Sequence, residues 1–258
     1  MAPLPAAQFY TGLVADLYEP LASERARAED YVPFLDRAGT PALELACGSG
    51  LPLVELVERG YEVEGLDSSA DMLERCRVRA RDRGLEVRVH QGEMQSFDLG
   101  RRYPSVFLAG ASFTLLLGAE DAGAALRCIH QHLEPGGAAL IPLEIPEQAG
   151  LERSLGHFRE VETDDGARLR VGLVGLDVDD AAQQVCRRLR YERIASGGEA
   201  EVLERDWLTQ WWSQAQFREM LAATGFANVG FVAPEGGPAA QDASVFVALA
   251  RKPASSSD

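Results

Sequence analysis

The sequence predicts an α/β fold with a seven-stranded, mostly parallel sheet, helices on both faces and an antiparallel β insert. Up to about residue 145, short apolar runs typical of strands alternate with segments of helical period, as in a parallel sheet with crossover helices. Between residues 157 and 212 the helical period disappears, and strand-like segments are separated by Gly- and Asp-rich turns. The 258 residues, 46% of them hydrophobic, suffice for one large domain with an insert.

The parallel part begins with an N-terminal helical segment and occupies residues 1–148. Its predicted strands are 41–47, 61–67, 86–92, 103–109 and 138–144, and its predicted helices are 52–59, 69–84 and about 124–133. In the helix at 69–84, Ser69 is expected at the start and Gly84 at the end. One face of that helix is expected to carry Met72, Leu73, Cys76 and Ala80.

The antiparallel insert is expected over residues 149–212. Its predicted strands are 157–163, 167–178, 184–194 and 200–210. Residues 213–252 return to the main sheet, because Ser213 and Gln216 form a capping-box pair for a helix that Gly225 ends. Two last strands, 228–233 and 243–250, complete the sheet, and residues 253–258 are expected to be a disordered tail.

The net charge of the chain limits the classes of partner that it is expected to bind. With 25 basic and 40 acidic residues the formal charge is -15, which argues against nucleic acid and anionic membrane surfaces as partners. The four cysteines lack the spacing of a metal site or a disulfide framework, so we expect reduced thiols and no metal. No run approaches the ~18 apolar residues of a membrane span and no signal peptide is evident, which predicts a cytoplasmic protein.

The stretch PALELACGSGLPLVEL at 41–56 joins a strand to a helix through a glycine turn. Such a turn presents backbone N–H groups at the carboxyl edge of the sheet, where open α/β sheets bind ligands, and predicts a nucleotide-like ligand. Asp67 ends the second strand beside this turn, where its carboxylate could accept both hydroxyls of a ribose. Leu53 stands where a dinucleotide motif needs its third glycine, which argues against NAD. A purely structural turn would also explain the two glycines.

Together with Glu44, Asp67 and the Gly-Glu-Met after the third strand, this turn resembles the first motif of class I S-adenosylmethionine-dependent methyltransferases. The resemblance covers nearly the whole chain and implies a Rossmann-like fold, with S-adenosylmethionine as cofactor and S-adenosylhomocysteine as product. The cofactor-binding residues it implies are Tyr18, Glu44, Ala46, Gly48, Ser49, Gly50, Asp67, Ser68, Met72, Glu93, Met94 and Ala109.

The segments FYTGLVADLYEPLA, HQGEM and LEPGG, with the insert, are similar to those of bacterial methyltransferases that act on amino sugars and other natural products. This similarity implies methylation of N or O of a small molecule in secondary metabolism, an insert that caps the active site, and a possible homodimer. A protein of this fold that binds the cofactor without methyl transfer, or that uses it for another reaction, stays open as an alternative. A protein methyltransferase and an NAD-dependent oxidoreductase fit the sequence less well.

Methyl transfer from a sulfonium has a neutral leaving group, so the protein must chiefly align the reactants and exclude water. An amine acceptor needs only to arrive unprotonated, whereas an alcohol needs a base or a metal. Glu144, at the end of the fifth strand, and His157, at the start of the insert, are the candidate catalytic residues. Because no strong base emerges, an amine acceptor is favoured.

Substrate contacts are predicted from aromatic and polar residues near the same edge: Tyr10, Ser112, Trp207 and Trp211. Tyr10 and Tyr18 lie in the first helical segment and could cover the sulfonium with their rings. An amphipathic helix anchoring its own aromatic face would equally explain them. The tryptophans form either a wall for the acceptor or, together with Trp212, the core between the insert and the sheet.

Overall fold

The structure is a computed structural model that describes residues 6–21, 26–163 and 165–254. Its strands are β1 Ala42–Leu45, β2 Val63–Asp67, β3 Arg88–Gln91, β4 Tyr103–Leu108, β5 Leu133–Glu144, β6 Phe158–Glu162, β7 Arg168–Asp179, β8 Gln184–Ile194, β9 Ala200–Gln210, β10 Ala227–Val232 and β11 Val245–Arg251. Seven of them form one sheet in the order β10-β11-β5-β4-β1-β2-β3, in which only β11 is antiparallel to its neighbours. The predicted seven-stranded, mostly parallel sheet is confirmed.

Helices cover both faces of this sheet. They are α1 Ala6–Phe9, α2 Leu13–Leu21, α3 Ala28–Ala38, α4 Leu53–Glu58, α5 Ala70–Asp82, α6 Gly118–His132, α7 Gln148–Ser154 and α8 Gln214–Ala223. One buried apolar cluster joins the sheet to α3, α4 and α5, and another joins its opposite face to α6 and α8. Alternation along β1 explains the division, because Ala42 belongs to the first cluster whereas Leu43 and Leu45 belong to the second.

Strands β6 to β9 form a separate antiparallel sheet in chain order, so the predicted insert strands are confirmed. The N-terminal helix α2 packs on this second sheet rather than on the main one. Its buried residues Leu13 and Leu17 share an apolar cluster with Leu169 of β7 and Tyr191 of β8. The start of the chain and the insert therefore form one layer. The boundaries predicted for the domains themselves stay predictions.

The predicted helix caps are confirmed. The Ser69 hydroxyl accepts a hydrogen bond from the Met72 amide, and Ser213 and Gln216 form both bonds of a capping box. Two elements are longer than expected, since α6 begins at Gly118 and β5 at Leu133.

Three further elements were not expected: α3, which contains a proline, α7, which is short and exposes its side chains, and a short 3₁₀ helix at Ser112–Leu115. Residues 255–258 of the predicted tail lie outside the described residues. Within the described part of the chain, no helix is both long and apolar enough to cross a membrane.

Two glycines allow α4 and α5 to approach the sheet closely. A Cβ at Gly50 would lie 2.7 Å from the Cys76 sulfur and 2.8 Å from a methyl carbon of Val54. A Cβ at Gly65 would lie 2.6 Å from both the Cys47 sulfur and a methyl carbon of Leu53. Gly50 also has a φ of +85°, which L-residues with a side chain rarely adopt.

We therefore expect Gly50→Ala to lower the free energy of unfolding by about 2–4 kcal/mol, because the new methyl group both collides with α5 and strains the backbone. Gly84→Ala is the matched control, since Gly84 also has a positive φ but no atom lies within 4 Å of its Cβ position. The control should lose only about 1 kcal/mol. Urea unfolding of both variants measures this difference, and equal losses would show that the close packing contributes nothing.

Candidate active site

Two adjoining cavities open at the carboxyl edge of the main sheet, where the strand order reverses between β1 and β4. The smaller, called here the Asp67 cavity, measures about 260 Å³ and is lined by residues that follow β2 and β3. The larger, the Glu144 cavity, measures about 830 Å³ and reaches the ends of β4 and β5 and the insert. Both cavities share a wall formed by Tyr10, Tyr18, Ala46, Gly48, Ser112, Leu115 and Trp207.

The Asp67 carboxylate connects the turns that follow β1 and β2. One of its oxygens accepts a hydrogen bond from the Gly48 amide at 2.9 Å, and the other accepts one from the Ser69 amide at 2.8 Å. Burial raises the pKa of this carboxyl, whereas the amides of Ser69 and Gly48 act to lower it. Each carboxylate oxygen can accept more than one hydrogen bond, so both keep capacity for a ligand.

Glu44 lies beneath the same turn and is fully buried. Neither of its carboxyl oxygens has a hydrogen-bond partner among the described residues. Burial, and then the negative charge of Asp67, raise the pKa of Glu44 well above its ordinary value. A buried charge without partners is costly, so the ligand-free protein favours the neutral, protonated form of this acid. The buried Ser49 hydroxyl nearby also lacks a partner among the described residues.

The start of the chain contributes two tyrosines to the shared wall. The rings of Tyr10 and Tyr18 meet edge to face with centroids 5.5 Å apart. The segment is fixed on one side by α5, since the Ser69 hydroxyl donates to the Tyr10 carbonyl at 2.6 Å and the Gly12 amide donates to Asp71 at 2.9 Å. On the other side, Arg205 of the insert donates to the Phe9 carbonyl at 2.7 Å.

Comparison with known proteins identifies the family of this chain. A family described as a methyltransferase domain matches residues 42–137. The cypemycin N-terminal methyltransferase of a Streptomyces species is 33% identical over 67% of this chain and 67% of that enzyme. The chain belongs to the S-adenosylmethionine-dependent methyltransferases.

Two further relatives support this family. The dTDP-3-amino-3,4,6-trideoxy-alpha-D-glucopyranose N,N-dimethyltransferase of Streptomyces venezuelae is 34% identical over 54% of this chain and 56% of that enzyme. The chain thus spans about half the length of that sugar enzyme. The crystal structure of Streptomyces venezuelae DesVI is 25% identical, with a TM-score of 0.69 over 93% of this chain and 98% of that chain. The predicted Rossmann-like fold and family resemblance are confirmed.

Most residues predicted to bind the cofactor meet at the two cavities. The Asp67 cavity is lined by Tyr18, Ala46, Gly48, Asp67, Ser68, Met72, Glu93 and Met94, and the Glu144 cavity by Tyr18, Ala46, Gly48, Ser49 and Ala109. Glu44 lies beneath the turn without lining either cavity. Gly50 also lines neither, because the space its side chain would need is occupied by α5 and α4. The position of Gly50 therefore does not support the predicted contact with the cofactor. Close helix packing explains why a glycine stands there.

The Asp67 carboxylate lines the smaller cavity and suits a cofactor with a ribose, and the orphaned Glu44 carboxyl adds an acidic group beneath the same turn. That Asp67 holds the ribose hydroxyls stays a prediction. Glu44 lies under the turn that is expected to meet the amino-acid half of the cofactor. The residues present therefore fit S-adenosylmethionine.

Of the residues predicted to contact the substrate or to act in catalysis, some line the cavities and others do not. Tyr10, Ser112 and Trp207 line both cavities, and Trp211 and Glu144 line the larger one. Trp212 is buried in the core. His157 is exposed just before β6 and lines neither cavity, so its position does not support the predicted catalytic role.

Sequence reasoning missed the residues that the insert contributes. Arg187 of β8 and Thr209 and Gln210 of β9 line the Glu144 cavity, and Gln95 lines the smaller one. A signal for Arg187 was present, because it occupies the same alternating face of β8 as the buried Val185 and Tyr191. An arginine on the apolar face of a strand indicates either a buried ion pair or a ligand contact.

The buried Glu44 carboxyl makes the stability of the ligand-free protein depend on pH. Because the folded protein holds this proton more tightly than the unfolded chain, the stabilisation is present below the ordinary pKa of 4.5 and is lost as the pH rises toward the raised value. Wild type should lose up to about 1.4 kcal/mol per pH unit in that window relative to Glu44→Gln. Urea unfolding between pH 5 and pH 8, with the exposed Glu86→Gln as control, measures it; parallel pH profiles would contradict it.

Proposed function

We propose that this protein transfers the methyl group of S-adenosylmethionine to an amine nitrogen of a small molecule in natural-product biosynthesis. The adenosine part would occupy the Asp67 cavity, the methionine part would follow the turn toward Ala109, and the acceptor would enter the Glu144 cavity. The observation that carries this assignment is the Asp67 carboxylate, held by the Gly48 and Ser69 amides at the edge of a nucleoside-sized cavity. The larger cavity has the size of a small-molecule site.

When bound, the cofactor supplies a methyl group attached to a cationic sulfur, which becomes a neutral thioether when the methyl group is transferred. The shared wall contributes alignment and exclusion of water. Burial raises the pKa of the Tyr10 hydroxyl well above its ordinary value, so Tyr10 stays protonated and would be available as a hydrogen-bond donor. The faces of Tyr10 and Tyr18 would favour the positive charge at the reacting centre.

Two observations support nitrogen as the acceptor atom. The relatives named above include an N-terminal methyltransferase and a sugar N,N-dimethyltransferase. In this chain, Glu144 lines the acceptor cavity at the end of β5, where its carboxylate can orient an ammonium and accept its proton. This would leave a free amine whose lone pair could accept the methyl group that the cofactor supplies. The new ammonium loses its second proton to solvent.

The remaining expectations stay predictions. They are the homodimer, the cytoplasmic location and the absence of a nucleic-acid partner.

Asp67→Ala should weaken binding of S-adenosylmethionine and S-adenosylhomocysteine by about 2–3 kcal/mol, because two charge-assisted hydrogen bonds to the ribose are lost. Titration calorimetry measures both ligands. Asp82→Ala, at the exposed end of α5, removes the same charge outside the cavities and should bind normally. If folded wild type binds neither ligand, the proposed function fails.

A panel of acceptors tests the methylated atom. Amino sugars and their hydroxyl analogues, offered with labelled cofactor, should give methylated product only from the amines. Glu144→Gln should lower kcat by about 10- to 100-fold with cofactor affinity unchanged. Methylation of the hydroxyl analogues would contradict the nitrogen assignment.

A further inference from the structure

A buried arginine forms part of the wall of the Glu144 cavity. Arg187 is 9% exposed and lies in the first half of β8, opposite Trp207 of β9. Its guanidinium donates a hydrogen bond to the Thr209 hydroxyl at 2.9 Å and lies 5.1 Å from the centre of the Trp207 ring. These contacts orient the guanidinium but use only part of its five N–H donors.

Within the described residues, Arg187 forms no ion pair, and this distinguishes it from the other arginines of its strand. The other three, which are more exposed, each pair with a carboxylate: Arg188 with Asp206 at 2.7 Å, Arg190 with Glu192 at 2.7 Å, and Arg193 with Asp165 at 3.3 Å. The arginine that faces the cavity is thus the one without a carboxylate partner. A buried cation in this condition is costly unless a ligand or water compensates it.

Glu144 is not the carboxylate partner of Arg187. It lines the same cavity, and its negative charge raises the pKa of Arg187 against the stronger lowering caused by burial. The two groups nevertheless form no ion pair. The cavity therefore presents a carboxylate and a guanidinium separately, which suits an acceptor that carries charges of both signs.

We infer that Arg187 binds an anionic oxygen group of the acceptor, either a phosphate or a carboxylate, while its amine lies toward Glu144. This inference rests on the proposed function and narrows its substrate class to amino compounds with an acidic group. The planar guanidinium suits such groups because it can donate two parallel hydrogen bonds. In a chain of charge -15, a single buried cation gives an anion a local site against a repelling background.

This contact lies away from the bond that changes, so it holds the acceptor equally before and during transfer. Loss of Arg187 should then raise KM and leave kcat nearly unchanged. An arginine that only supported the insert would instead be needed for folding stability. Replacing it should leave thermal stability unchanged or improved when no anion is present, because a desolvated charge is removed.

The test uses the full-length protein and three related probes: glucosamine, glucosamine 6-phosphate and glucosaminic acid. Calorimetric titrations, with and without S-adenosylhomocysteine, compare wild type with Arg187→Met, Arg187→Lys and Arg193→Gln. We expect wild type to bind a charged probe at least 10-fold more tightly than glucosamine. This preference should disappear in Arg187→Met, persist in part in Arg187→Lys and be unchanged in Arg193→Gln.

The phosphate and carboxylate probes distinguish the two sources of the anion. Equal affinity of wild type for all three probes, or an unchanged preference in Arg187→Met, would overturn the inference. So would a marked loss of thermal stability in Arg187→Met with the anion preference of the folded fraction retained. Failure of the proposed function is seen separately, as absence of S-adenosylhomocysteine binding in wild type, whereas Arg187→Met should bind that ligand normally.

Discussion

The hydrogen bonds from Gly48 and Ser69 to the Asp67 carboxylate are the constraint on which the site depends. They join the turns after two neighbouring parallel strands, and they compensate part of the cost of burying a carboxylate. The turn after β1 can meet Asp67 because Ala46 and Gly48 both adopt a positive φ. Cys76 of α5 packs closely behind the turn at Gly50, and Ser69 caps the start of the same helix. Backbone strain, helix packing and ligand recognition are thus one local arrangement.

Charge is distributed unevenly around the two cavities. Acidic groups, Glu44 and Asp67, lie at the turn where the cofactor is proposed to bind, and the buried cation Arg187 lies in the insert. The first group suits a cofactor with a positive sulfur and an ammonium. The second suits an acidic acceptor. The main sheet therefore favours a positively charged ligand and the insert a negatively charged one. The aromatic wall between them lies where the two ligands would meet.

The parts of the fold and site that depend on local pattern could be predicted. Alternating apolar runs located the strands, including four in the insert, and residues that follow β1 to β5 were expected at the edge where they lie. Arg187 and Gln210 were missed because the face of the insert that covers the site is decided by packing of α2 on β7 and β8. Gly50 was assigned to the ligand because sequence does not show which side of a turn a missing side chain faces.

The segment at residues 9–12 is bonded both to α5 and to Arg205 of the insert. It crosses the aromatic wall that both cavities share, so a cofactor that exchanges past it must release bonds to both elements. The segment is therefore a mechanical link between α5 and the insert at the place where the two cavities meet.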